Sequence, residues 1–378
     1  MKRIFMILLA LSLLFALCAC GGDTTTEPSI EVTEAPTTEP ATEPTTEPTE
    51  VTTEEVTEPP VLYRNPLNGE PLDAPYNGRP TAVVINNASD AMPQYGISEA
   101  DFMYELETEG DITRYMAIFS DLSDVGTIGP VRSARVFFNN IALSYDAPLI
   151  HCGGSEFALA GHVDETGSTI SNWQHINEMY NPDYFFRDYD RYYSGYSWEH
   201  TLFTSGAQLT EALADKGYTK HTTAFLEKQT SELYYGVQYA EDVNLNGETA
   251  NQVSAVFRLG KTTNFTYDST TGLYSAAQYK QPHLDGATGK AVAYRNILVL
   301  YTSKWGKADS NYVRSFYDLL GEGTGYLACN GQIVPIRWYR DSYRNSFTYT
   351  LEDGTPITLG VGSTYVGISA AETYVKYQ

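Results

Sequence analysis

Residues 79–87 read Arg79-Pro80-Thr81-Ala82-Val83-Val84-Ile85-Asn86-Asn87, and the fold turns on the run from Thr81 to Ile85. That run is apolar without alternation, the pattern of a strand in a sheet covered on both faces. Asn86-Asn87 end it. Open α/β sheets place ligands beyond strand ends, which makes Asn86 a candidate binding residue.

Working outward, a turn at Asn65-Pro66-Leu67-Asn68-Gly69 comes first, and Ser98-Glu99-Ala100-Asp101 reads as a short turn or helix before a strand at 102–106. A further strand runs to Phe119 with Arg114 at its entrance. Helical spacing of Val136, Phe137, Ile141 and Leu143 predicts a helix over 136–145, and Leu149-Ile150 is again a buried strand. Alternation of strand and helix predicts an α/β or α+β domain with a mixed sheet over 61–230. Within it, 181–191 reads as a long ordered loop, and Ser205 as the N-cap of a helix ended by Gly217. From 231 to 378 the pattern changes to short strands and tight turns, among them Asn330-Gly331 and Asp353-Gly354, the mark of a β-rich second domain.

The N-terminus sets location. Lys2-Arg3, an apolar run from Ile4 to Leu17 and then Leu17-Cys18-Ala19-Cys20 make a lipoprotein signal over 1–20. Cys20, behind small Ala19, is the expected lipidation site. The run is shorter than the ~20 residues a spanning helix needs. Residues 21–60 are almost wholly Thr, Glu and Pro, too poor in apolar groups to offset the entropy of ordering, so they are expected to form an extended, disordered stalk. The expected location is the extracytoplasmic face of the cell membrane, held there through the lipid. Of 47 acidic residues 11 lie in the stalk, and of 24 basic ones 2 lie in the leader. The remainder, 36 acidic against 22 basic, is itself acidic, which argues against a nucleic-acid partner.

Against that charge, Gly129-Pro130-Val131-Arg132-Ser133-Ala134-Arg135 stands out, answered by His151-Cys152-Gly153-Gly154-Ser155 after a hydrophobic strand. A Gly-Pro break entering a helix places Arg132 and Ser133 near its N-terminus, which favours anions. On a helical turn Arg132 and Arg135 share one face. Guanidinium groups add bidentate donors for phosphate or carboxylate. The reading is an anion pocket built from Arg114, Arg132, Ser133, Arg135, His151 and Ser155, with Glu105, Glu109 and Asn86 beside it. The competing reading pairs these arginines with Glu105, Glu109 or Asp146 to brace the domain.

Other motifs carry less. Ser155 lacks the G-x-S-x-G nucleophile elbow. His151-Cys152 has no second ligand at metal spacing, and Asp242-Val243-Asn244-Leu245-Asn246-Gly247 begins a calcium loop whose twelfth position is Val253. No metal or other cofactor is expected. Glu105 and Glu109 would share a strand face as paired carboxylates, or be two solvated acids. His283 and Asp285 in Pro282-His283-Leu284-Asp285 either face a cleft or close a hairpin. Cys152 and Cys329 read as two free thiols.

As a set, several marks are recognisable. They are Asn65-Pro66-Leu67, Arg79-Pro80, Asn86-Asn87, Tyr104-Glu105, Glu109-Gly110, Ile112-Thr113-Arg114, the 129–135 segment and His151 with Gly153-Gly154-Ser155. Pro282-His283-Leu284-Asp285, Gly321-Glu322-Gly323, Trp338 and Gly362-Ser363-Thr364-Tyr365-Val366 continue the set. With these the chain resembles the YerB-like lipoproteins of Gram-positive bacteria, built of the DUF3048 domain and its C-terminal companion. Asp111 stands where that family has a second glycine, and Glu199-His200-Thr201 where it has Pro-His-Asn. The resemblance implies no activity. The sequence favours a membrane-tethered binding protein recognising an anionic cell-wall glycan, another phosphate-bearing ligand or an envelope protein. The rival is an envelope hydrolase or phosphotransferase acting on a phosphorylated or lipid-linked glycan.

Overall fold

The computed structural model describes residues 63–378 apart from 111, 164–168, 171–173, 228–233 and 311. The expected leader, the stalk, the lipidation site Cys20 and the departure at Asp111 lie outside the described residues.

An eleven-stranded mixed sheet organises the rest. Its strands are β1 (Thr81–Asn86), β2 (Phe102–Glu107), β3 (Thr113–Phe119), β4 (Leu149–His151), β5 (His175–Asn177), β6 (Glu248–Thr249), β7 (Asn296–Tyr301), β8 (Gly321–Cys329), β9 (Gln332–Arg340), β10 (Thr348–Leu351) and β11 (Thr364–Ser369). They lie in the order β5-β4-β1-β3-β2-β11-β7-β8-β9-β6, with β10 also on β9. Parallel pairing of β2 with β11, Tyr104 opposite Val366, joins the two sequence regions in this one sheet. Mixed strand directions and a strand-rich C-terminal half are what the residue pattern predicts.

β1 is buried throughout, and its alternate residues serve two different cores. Val84 packs with Tyr104, Met116 and the helix α1 (Val136–Ser144), through Phe137, Phe138 and Ile141. Ile85 faces the opposite layer. That layer joins Tyr115 and Tyr365 to Phe265 of a six-stranded second sheet and to Leu209 of a helix over Gly206–Lys216. That last helix is capped as its sequence predicts, Ser205 Oγ accepting from Gln208 N–H and Gly217 taking φ 68° at the other end.

The stretch 181–191 is more structured than a loop. It holds a 3-10 turn, a short strand Phe186–Arg187, and the start of a helix, α2 (Tyr189–Tyr193).

Parallel and antiparallel pairings together give β5, β4, β1, β2, β11 and β7 one common direction. All six end at the same edge of the sheet, where β3 begins.

Candidate functional site

The chemistry-bearing residues collect at that carboxyl edge. β1 and β4 pair only through Ala82–Leu149 and Val83–Ile150. Beyond that point the 130–135 segment enters between them. Asn86 N–H donates to Pro130 O (2.8 Å) and Arg132 N–H to Val84 O (2.9 Å) on one side. On the other, Cys152 N–H donates to Arg132 O (3.1 Å) and Ala134 N–H to Gly153 O (3.0 Å). Bonded on both sides, the segment is extended, and Arg135 is the N-cap residue of α1 with φ −132° and ψ 155°.

This corrects the expected helical turn. Along an extended chain side chains alternate, so Arg132 and Arg135 part company. Arg135 turns to Glu109, with Nε and Nη2 at 2.8 and 2.6 Å from Oε2, and Nη1 donates to Ala134 O. Glu109 also accepts from Ser315 N–H (3.1 Å) and lies 3.7 Å from Arg314. Burial opposes ionisation of Glu109, yet the Arg135 guanidinium holds its carboxyl below the usual range. Arg135 is therefore a brace, as the competing reading had it.

Arg114 is the opposite case. It is 5% exposed, and its Nη1 donates to Ser133 O at 2.8 Å. Its buried Nε has no partner, and among the described residues no carboxylate pairs with it. Burial, then Arg135 and Arg132, drive its pKa well below the usual value, with Glu109 opposing. Arg132 lies nearer the surface, bonded through Nη2 to half-exposed Glu199 (2.9 Å), while its own buried Nε is also unpartnered. Ser133, half-buried, directly follows Arg132, and its carbonyl is Arg114's acceptor.

The remaining sequence candidates have structural partners. His151 is fully buried, Nδ1–H donating to Gly153 O (2.7 Å) and Nε2 accepting from His175 Nδ1–H (2.8 Å). Burial pushes His151 down to about 3 and His175 down to about 4, so both rings are neutral at neutral pH. Ser155 caps the short helix Glu156–Leu159 by accepting from Ala158 N–H. Asn86 donates through Nδ2 to His200 Nδ1 (2.9 Å).

Glu105 is fully buried and lies 3.3 Å from Lys261 Nζ, accepting from Asn87, Thr113, Thr263 and Tyr365. It forms no pair with Glu109, which lies beyond the end of β2. Cys152 and Cys329 are free thiols. Burial and the hydrogen bond to Glu178 push Cys152 up to about 12, so it is no thiolate nucleophile. Asp285 accepts from Ser98 and His283 contacts Gln94, both buried, so 282–285 closes a packed turn instead of facing a cleft. Among the described residues no three His, Cys, Asp or Glu side chains are arranged to hold a metal.

Residue-by-residue reading missed Arg187, Glu178 and Arg314. Glu178 accepts from Cys152 and lies 3.8 Å from Arg187, whose Nη1 donates to Trp198 O (2.9 Å). Glu199, a departure from the family pattern in sequence, covers Arg132 in the structure. Arg314 reaches the edge from a hairpin in the far half of the sequence, a proximity no local motif encodes.

Residues 67–219 match the family model described as "Protein of unknown function (DUF3048) N-terminal domain", and residues 253–366 match its C-terminal domain. The chain is 28% identical over 293 residues to the "Putative lipoprotein YerB" of Bacillus subtilis strain 168, covering 77% of this chain and 81% of that protein. The crystal structure of the YerB protein from Bacillus subtilis superposes with a TM-score of 0.66 at 26% identity, covering 83% of this chain and 99% of that one. With both domains in order and one relative matched over 81% of its length, this chain belongs to the YerB-like family of DUF3048 proteins.

Proposed function

We propose that this protein is a lipoprotein anchored through Cys20 to the extracytoplasmic face of the cell membrane, where it binds an anionic envelope ligand. Arg114, Arg132 and Ser133 hold the phosphate or carboxylate. The observation that carries this is Arg114: a buried guanidinium with an orphaned Nε and no carboxylate partner among the described residues. An uncompensated buried charge costs several kcal/mol in general, and an arriving anion relieves that cost. Arg132 adds a second fork within reach of solvent, and exchange of Glu199 for the ligand leaves its charge paired. Inert His151 and protonated Cys152 favour binding over catalysis at this edge.

The test is calorimetric titration of the full-length chain in detergent with inorganic pyrophosphate. The expected result is saturable binding that weakens with salt and is lost in Arg114→Met and in Arg132→Ala, with both variants still folded by circular dichroism. Binding unchanged in both variants overturns the site. Loss of the membrane fraction on Cys20→Ala checks the anchor.

A further inference from the structure

We propose that the exposed rings of α2 and Trp198 form the sugar-binding half of the same site, so that its ligand is an acidic glycan; this rests on the anion-binding reading above. Tyr193 is 78% exposed, Tyr189 55%, Trp198 46% and Tyr192 43%. These rings hold one another in place without being buried. Tyr192 meets Trp198 edge-on with centroids 5.5 Å apart, Tyr189 stands 6.0 Å from Trp198, and Tyr192 5.6 Å from Tyr193. Arg187 lies 4.6 Å over the Trp198 ring.

The surface is built, not left over. Asp188 caps α2 by accepting from Arg191 N–H. Arg191 is the residue of α2 that turns into the body, donating to Pro93 O and Ala91 O and lying 4.2 Å over Tyr196. Anchored by that one side chain, the helix presents its tyrosines outward in a fixed arrangement, which lowers the entropy lost on binding. The platform is continuous with the anion site. Trp198 O accepts from Arg187, and the next residue, Glu199, covers Arg132.

The chemistry selects the occupant. Aromatic faces stack on the C–H faces of pyranose rings, and tyrosine hydroxyls and carboxylates bond the sugar's hydroxyl groups. Asp183 and Asp190 are exposed within the same stretch, and the Tyr184 hydroxyl donates to Asp215 (2.6 Å). Those acids repel an anionic bilayer, and their presence among the rings is unlike the charge-depleted centre of a protein–protein interface. A sugar carrying one phosphate or carboxylate satisfies both halves.

The test titrates the full-length chain in detergent with inorganic phosphate, with chitotetraose, and with N-acetylglucosamine 1-phosphate. The expected result is sugar phosphate binding about tenfold tighter than phosphate, with Tyr192→Ala plus Tyr193→Ala removing that gain and leaving phosphate affinity within about twofold. Equal affinity for phosphate and sugar phosphate, or a gain that survives the double substitution, overturns the glycan assignment and leaves the anion site standing. Failure of phosphate and sugar phosphate alike to bind the folded chain overturns both. Retention by phosphatidylglycerol vesicles that is lost in the double variant, without any sugar gain, assigns the rings to a lipid surface and also overturns the proposal.

Discussion

Arg114 and Arg135 are two buried guanidinium groups with opposite needs. Arg135 is spent on Glu109, so Arg135→Met leaves a partly buried carboxylate with the Ser315 N–H and the more distant Arg314, and the expected cost is about 3 kcal/mol. Arg114→Met removes a buried charge with no carboxylate partner among the described residues and gives up one hydrogen bond, so its expected effect on stability runs from neutral to a gain of about 1–4 kcal/mol. Urea unfolding midpoints of the two variants separate the roles; a large loss at Arg114 makes it structural. His151 gives a second check. An unfolded imidazole takes its proton near pH 6.5, whereas burial holds the folded ring down to about 3. Below pH 6.5 the unfolded chain therefore binds the extra proton, and the stability His151 contributes above that pH is lost progressively toward pH 3. Its ring resonances should stay flat from pH 8 to pH 5 in an NMR titration, and a midpoint near 6.5 would show a solvated ring. The residue types at this edge were legible in the sequence, but their partition was not. Spacing of i and i+3 unites two arginines only on a helix, and the backbone bonds that make 130–135 extended come from Val84, Cys152 and Gly153, none of which a local reading connects to it.

At the scale of elements, the β8–β9 hairpin turns through Asn330 and Gly331 at φ 51° and 72°. Both central residues in the left-handed region make the turn that matches strand twist. A Cβ at position 331 would also stand 2.8 Å from the Tyr267 ring. Gly331→Ala is expected to cost about 1–2 kcal/mol, read from the thermal or urea midpoint, with the same fold by circular dichroism. Asn-Gly between apolar runs was readable because its physics is local, and so were β1 and α1, whose hydrophobic patterns identify them. α2 was not. Its buried contact is Arg191, not an apolar stripe, so Tyr189, Tyr192 and Tyr193 give no periodicity to find. β5 was missed because three residues, His175 to Asn177, carry too little pattern to separate a strand from a loop.

For the whole molecule, the decisive contacts join distant parts of the chain. β2 lies between β3 and β11, so one of its two partners comes from the far end of the sequence. The carboxylate of Glu105, on β2, is satisfied by Lys261, Thr263 and Tyr365 from that same half. Composition and turn spacing mark the C-terminal half as β-rich, yet strand order and this buried pair depend on pairing across the entire chain, which no local pattern specifies. A consequence is testable. Residues 61–230 alone would expose one side of β2 as an unpaired, apolar edge and leave Glu105 buried without its cation, losses that a small domain with marginal stability cannot absorb. The fragment is expected to lack a dispersed amide spectrum and to aggregate, co-expression with residues 231–378 is expected to restore a folded complex, and the intact chain is expected to unfold in one transition by both far-UV and tyrosine signals. A well-dispersed spectrum from 61–230 by itself, or two separated transitions in the intact chain, would show that each half holds its own fold and that the shared sheet forms only as they dock.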